Sequence, residues 1–255
     1  MPRSAPVSLP PPATTLPPGV VDVWLTDPDR VTADAALDLL AVLDPEERAR
    51  NDRFRVEPAR RQHLVAHALL RRTLTRYTGV DPAEWRFGAN SYGRPHIEGP
   101  ALEAPLHFNL SHTDGLVALA VAASPDVGVD VERESRQTDI DRLAPAVFSK
   151  TEREAFGRCP GQDRRALFFT FWTLKEAYIK ARGMGLSLPL AGFSFDLGGP
   201  EPRIAFHAGC PDDPGRWRFW SDRVTPDHRL GLAAPSGTLA TRRFRVDPDG
   251  GTTGA

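Results

Sequence analysis

The stretch "FNLSHTDGLVALAV", residues 108–121, decides the fold because it has an echo in "RFWSDRVTPDHRLGLAA", residues 218–234. Each reads as a strand, a polar turn and an apolar strand. Each also follows a long helical segment and a glycine-rich connection. The repetition predicts a duplicated chain of two α+β lobes that meet near Ser124-Pro125-Asp126. The rival reading is two unrelated hairpins of similar composition.

Working outward, helix signals precede both hairpins. Thr32 caps "ADAALDLLAVL", and Asp44-Pro45-Glu46-Glu47 opens a second helix with proline in its first turn and Glu47 completing a capping box. In "PARRQHLVAHALLRRTLTRY" (58–77), Leu64, Ala68 and Leu69 fall on an apolar face, with Arg60, Arg61, Arg71 and Arg72 mostly elsewhere. Ser149-Lys150-Thr151-Glu152 is another capping box, and "RRALFFTFWTLKEAYIKAR" ends at Gly183, a suitable C-cap. "FSFDL", "RIAFH", "WRFWS" and "HRLGLAA" read as short strands. The ends, 1–18 with seven prolines and 237–255, read as a disordered leader and a tail around lobes 19–124 and 125–236.

Composition narrows the function. The 255 residues carry 32 basic and 33 acidic side chains, a balance that argues against a broad nucleic-acid-binding surface. The longest apolar run, "LVALAVAA", is far too short to span a bilayer. Cys159 and Cys210 form no metal-ligand spacing, which fits a reduced, cytoplasmic protein.

The chemistry lies in "VGVDVE" (127–132) and "FWTLKEAYIK" (171–180). On a strand, Asp130 and Glu132 share one face while Val129 and Val131 turn to the core. Two hard oxygen donors there suit Mg²⁺ beside substrate phosphates; the plain alternative is a strand end entering solvent. On the helix, Trp172, Glu176 and Lys180 line one face. The apolar flanks predict a buried helix, so a Glu-Lys pair in it needs a reason. Ser111-His112 is expected at a hairpin tip, and Arg94 in "GRPHI" on a rigid loop suited to bidentate phosphate contact.

"GRPHI", "FNLSHTDGLVALAV", "VGVDVE", "FSKTE" and "FWTLKEAYIKARGMGLSLPL", in that order, resemble the 4′-phosphopantetheinyl transferases of the large, monomeric, Sfp-like (surfactin-synthetase-activating) type. The resemblance spans roughly residues 30–235. It implies an α+β fold of two similar lobes related by pseudo-twofold symmetry, with coenzyme A in the cleft between them. It also implies Mg²⁺, or Mn²⁺ in its place, held by Asp130, Glu132 and Glu176, with Glu176 as base and Lys180 on phosphate. Arg94, Ser111 and His112 would hold other parts of coenzyme A. On the helix opening at Asp44, basic residues would serve the nucleotide; Glu47 stands at one such position, leaving Arg50 and Arg53. The implied activity is that of a holo-[acyl-carrier-protein] synthase, acting on an apo acyl or peptidyl carrier of fatty-acid, polyketide or nonribosomal-peptide synthesis. Residues 133–150 are the expected docking segment. The competing readings are a Mg²⁺-dependent nucleotide pyrophosphohydrolase and a non-catalytic carrier-binding scaffold.

Overall fold

The computed structural model describes residues 16–248 and 252–253; the expected leader lies almost wholly outside them. The first half runs β1 (Val20–Thr26), α1 (Ala33–Ala41), α2 (Pro45–Asp52), α3 (Glu57–Thr78), β2 (Arg86–Ala89), β3 (Pro95–Gly99), β4 (His107–Thr113) and β5 (Leu116–Ala122). The second repeats that order: β6 (Gly128–Arg133), α4 (Ile140–Val147), α5 (Lys150–Arg158), α6 (Gly161–Arg182), β7 (Phe193–Asp196), β8 (Arg203–Phe206), β9 (Trp217–Thr225) and β10 (His228–Pro235). Strand order repeats too, β1-β5-β4 against β6-β10-β9. The hairpin echo is thus part of a repeat of whole α+β units.

The expected caps are present. Thr32 accepts from the Ala35 N–H, the Asp44/Glu47 and Ser149/Glu152 boxes are both closed, and Gly183 ends α6 in the left-handed region. Each box does more than cap. Glu47 binds Arg71 of α3 at 2.7 Å, and Glu152 binds Lys175 of α6 at 2.8 Å. Both cations are fully buried. Arg71 also donates to the carbonyls of Pro82 and Trp85, and Lys175 to those of Leu190 and Phe193. Buried charges persist only when paired and hydrogen-bonded, and both halves meet that demand in the same way. This corrects one expectation: Arg71 lies inside rather than on the outer face of α3. Lys175, buried within α6, is accounted for by Glu152.

Val21, Val23 and Leu25 of β1 pack with Val129 and Val131 of β6 in one apolar cluster, so the expected inward turn of those two valines is observed. Helix α6 lies close on the second sheet because glycines admit it. A Cβ at Gly128 would come within 2.1 Å of the Ala177 carbonyl, and one at Gly231 within 2.4 Å of that of Thr173. The stripe Thr173–Ala177–Ala181 therefore rests on the sheet and leaves Trp172, Glu176 and Lys180 along its flank.

One expectation fails outright. Within the expected tail, β11 (Ala240–Val246) pairs in parallel with β1, and β12 (Thr252–Thr253) pairs with β11. Arg242 holds Asp22 through two 2.7 Å bonds, and Phe244 stacks on Trp24.

Candidate active site

The site forms where β4 of the first half meets β6 of the second. These strands share no backbone ladder. Alternate side chains of β4 replace it: Asn109 Oδ1 accepts from the Val129 N–H at 2.8 Å, Ser111 Oγ from Val131 at 3.3 Å, and Thr113 Oγ1 from Arg133 at 3.4 Å. Period-two polar residues in an apolar strand were the available signal for this seam.

The same seam aims Asp130. Ser111 Oγ donates to Asp130 Oδ1 at 2.9 Å, and Lys180 Nζ donates to that oxygen at 2.7 Å, to Ser111 Oγ at 2.8 Å and to the Val129 carbonyl at 3.2 Å. Asp130 Oδ2 is buried without a hydrogen-bond partner. Glu132 accepts from Trp172 Nε1 at 3.0 Å and from Arg136 at 2.6 Å. Burial, then the charge of Asp130, nevertheless push its carboxyl above the ordinary value. Glu176 is pushed up to about 7 by burial and by Asp130 and Glu132, against the pull of Lys180. Glu132 and Glu176, both raised by burial and then by the charge of Asp130, make a site suited to a cation. Among the described residues no three His, Cys, Asp or Glu side chains already stand as an ion-binding group. The donors nonetheless fit one: Asp130 Oδ2 lacks a partner, and among the described residues none hydrogen-bonds the Glu176 carboxylate.

Glu176 and Lys180 open into a cavity of about 230 Å³, lined also by Tyr92, Asn109, Leu110 and Gly185. The remaining expected residues are placed differently. His112 lies on β4, before the turn at Asp114-Gly115, with its solvent-exposed side chain on the face opposite Ser111. Burial of its inner edge and the charges of Lys180 and His67 hold it below the ordinary imidazole pKa. His112 and exposed Arg50 both lower the proton affinity of His63, which stacks on His67 at 4.2 Å; neither of these two histidines was singled out from the sequence. Glu47 belongs to the fold: burial opposes its charge, but hydrogen bonds from His67 and Arg71 hold it at about 2. Arg94 lines the cavity, yet its guanidinium does not present a free fork to phosphate. It donates to the carbonyls of Ala181, Pro125 and Val127.

The carboxylate cluster and the lysine thus lie where the two α+β halves meet, in a chain with recognisable relatives. The model of the 4′-phosphopantetheinyl transferase superfamily matches residues 126–233, and that of the 4′-phosphopantetheinyl transferase N-terminal region matches 30–124. The 4′-phosphopantetheinyl transferase HetI of Nostoc sp. is 34% identical over 177 residues, 69% of this chain and 74% of that protein. The 4′-phosphopantetheinyl transferase Sfp of Bacillus subtilis is 32% identical over 195 residues, 76% and 83% of the two chains. A crystal structure of Thermotoga maritima holo-[acyl-carrier-protein] synthase aligns with a TM-score of 0.36 at 21% identity, over 46% of this chain and 64% of that one. The chain belongs to the 4′-phosphopantetheinyl transferase superfamily and is of the Sfp-like type.

Proposed function

We propose that the cleft binds coenzyme A and delivers its 4′-phosphopantetheine to a serine of an apo acyl or peptidyl carrier protein, releasing adenosine 3′,5′-bisphosphate. The observation that carries this reading is Asp130, with one oxygen fixed by Lys180 and Ser111 and the other buried without a partner beside Glu132 and Glu176. Asp130, Glu132 and Glu176 would hold Mg²⁺, which supplies charge neutralisation at the pyrophosphate.

Lys180 fixes Asp130 and adds a positive charge at the cleft wall. Glu176 takes the serine proton directly or through a water; ligation to the ion would lower its basicity, which favours the water relay. Positioning supplies much of the rest. Arg50 and His112 border the region suited to the nucleotide phosphate, and the segment containing α4 receives the carrier. A chain with both halves of the site supports a monomer. Among the described residues no helix is long and apolar enough to cross a membrane; with two unpaired cysteines, this supports a cytoplasmic enzyme.

The test is the intact mass of an apo carrier incubated with the protein, coenzyme A and Mg²⁺. A phosphopantetheine increment is expected. Cleavage of coenzyme A without that increment would identify a hydrolase, and an unchanged mixture a scaffold.

A further inference from the structure

The turn between β2 and β3 belongs to the first half of the chain but grips the second. Asn90 Oδ1 accepts from the Tyr92 and Arg94 N–H groups at 3.0 and 2.9 Å, which fixes the turn, while its Nδ2 donates to the Gly183 carbonyl at 2.8 Å. Arg94 donates to the carbonyl of Ala181 at 2.5 Å and to those of Pro125 and Val127 at 2.5 and 2.9 Å. The last carbonyls of a helix lack intrahelical partners, and the negative end of the helix dipole favours a guanidinium. Gly183 is shaped to this contact: its φ is +62°, and a Cβ there would come within 2.7 Å of Arg94 Cδ.

These bonds act at one end of the helix that carries the chemistry. Lys180 adjoins Ala181, and Glu176 lies just over one turn earlier. Glycines at Gly128 and Gly231 let α6 lie close on the sheet, and Lys175 ties it to Glu152 within the second half; Asn90 and Arg94 tie its C-terminal end to the first half. Lys180 must meet Ser111 of the other half at 2.8 Å. We propose that Asn90 and Arg94 are positioning residues for the transfer reaction: through the carbonyls of Ala181 and Gly183 they set the axial placement of α6, and so of Glu176 and Lys180 against Asp130. This rests on the reading of the Asp130 cleft as the transfer site.

Steady-state kinetics of Asn90→Asp, Arg94→Lys and Arg94→Ala with coenzyme A and an apo carrier test it, after circular dichroism confirms folding. Asn90→Asp keeps the acceptor that forms the turn and removes the donor to Gly183. Arg94→Lys keeps the charge, but one ammonium does not span carbonyls on both sides. Displacement of catalytic groups by about 1 Å costs on the order of 100-fold, so kcat should fall ~10- to 100-fold in all three. The KM for coenzyme A should change by less than about threefold. If Arg94→Ala does not fold, the other two variants carry the test. Wild-type kcat in Asn90→Asp would overturn the proposal. So would a raised KM at unchanged kcat in Arg94→Ala that Arg94→Lys restores, the pattern of a phosphate ligand. A wild-type protein that transfers nothing would instead contradict the site reading, and the clamp with it.

Discussion

Asp22 and Asp130 are counterparts: each sits at the centre of a Val-Asp-Val run in the first strand of its half, and each accepts a hydrogen bond from the last two turns of that half's long helix. Their carboxylates end differently. Both oxygens of Asp22 are taken, by Arg242 of β11 and by the Tyr77 hydroxyl. Asp130 keeps one oxygen open toward Glu132 and Glu176. The repeat therefore holds two similar acidic positions, one closed by the C-terminal strand and one left for chemistry.

Neutralising these two residues should have unequal consequences. Asp22→Asn should destabilise the protein by roughly 1.5–3 kcal/mol, because hydrogen bonds to a buried charge are lost. Asp130→Asn should cost less, because the weakened bond from Lys180 is offset by relief of the repulsion from Glu132 and Glu176. Urea unfolding of both variants checks this, and transfer should disappear only in folded Asp130→Asn. Equal destabilisation would make Asp130 a structural residue.

Lys175 tests whether the lysine beside Glu176 belongs to the reaction. Its ammonium is fully buried with Glu152 and two carbonyls. Lys175→Met should cost about 3–5 kcal/mol, the usual result of removing one partner of a buried pair. Activity per folded molecule should stay within about twofold of wild type, since Lys175 touches no group of the cleft. A folded variant without turnover would place Lys175 in the site.

The amount of this legible in the sequence varied with the range of the interactions involved. Thr32, Asp44, Ser149 and Gly183 act within one turn, so their caps were readable from neighbours alone. The shared faces of Asp130 with Glu132, and of Glu176 with Lys180, followed from strand and helix periods. Long-range partners were not readable. Arg71 resembles any surface arginine until α2 brings Glu47 to it across 24 residues. β11, "ATRRFRV", has the charge of a solvated tail; its arginines meet Asp22 and Asp222 only after folding. Arg94 looked like a phosphate ligand because its loop was visible and the carbonyls awaiting it, on α6 and the connection after β5, were not.

Acid should weaken the fold through the contact of α2 with α3. His63 is held at about 4, first by burial and then by the charges of His67 and Arg50, and its Nε2 is buried without a partner. The unfolded chain takes up this proton near 6.5, so between 6.5 and about 4 it binds more protons than the folded protein, and stability falls as pH falls. Glu47, held at about 2, adds stability above its unfolded value of 4.5 that is lost on further acidification. Urea midpoints should drop between pH 7 and pH 4, less steeply in His63→Gln. A variant with the wild-type slope would remove His63 from this account.

His112 offers a pH test of ligand binding. Burial, then the charges of Lys180 and His67, lower its proton affinity in the free protein. A phosphate beside it would raise its pKa, so binding takes up a proton and coenzyme A affinity should fall as pH rises through the complex's pKa. The charge-assisted bond is worth roughly 1.5–3 kcal/mol, so His112→Ala should weaken binding by about one to two orders of magnitude. It should also lose the preference for coenzyme A over its 3′-dephospho form. Calorimetry with both ligands decides, and an unchanged preference in the variant assigns that phosphate to another residue.

A divalent cation on the open oxygen of Asp130 should be detectable as bound Mn²⁺. Electron paramagnetic resonance titration of the folded protein with Mn²⁺ in the presence of coenzyme A should show one ion bound per chain. Folded Asp130→Asn should bind it at least ~10-fold more weakly, since one charged hard ligand is gone. Equal Mn²⁺ affinity in the two proteins would contradict the account.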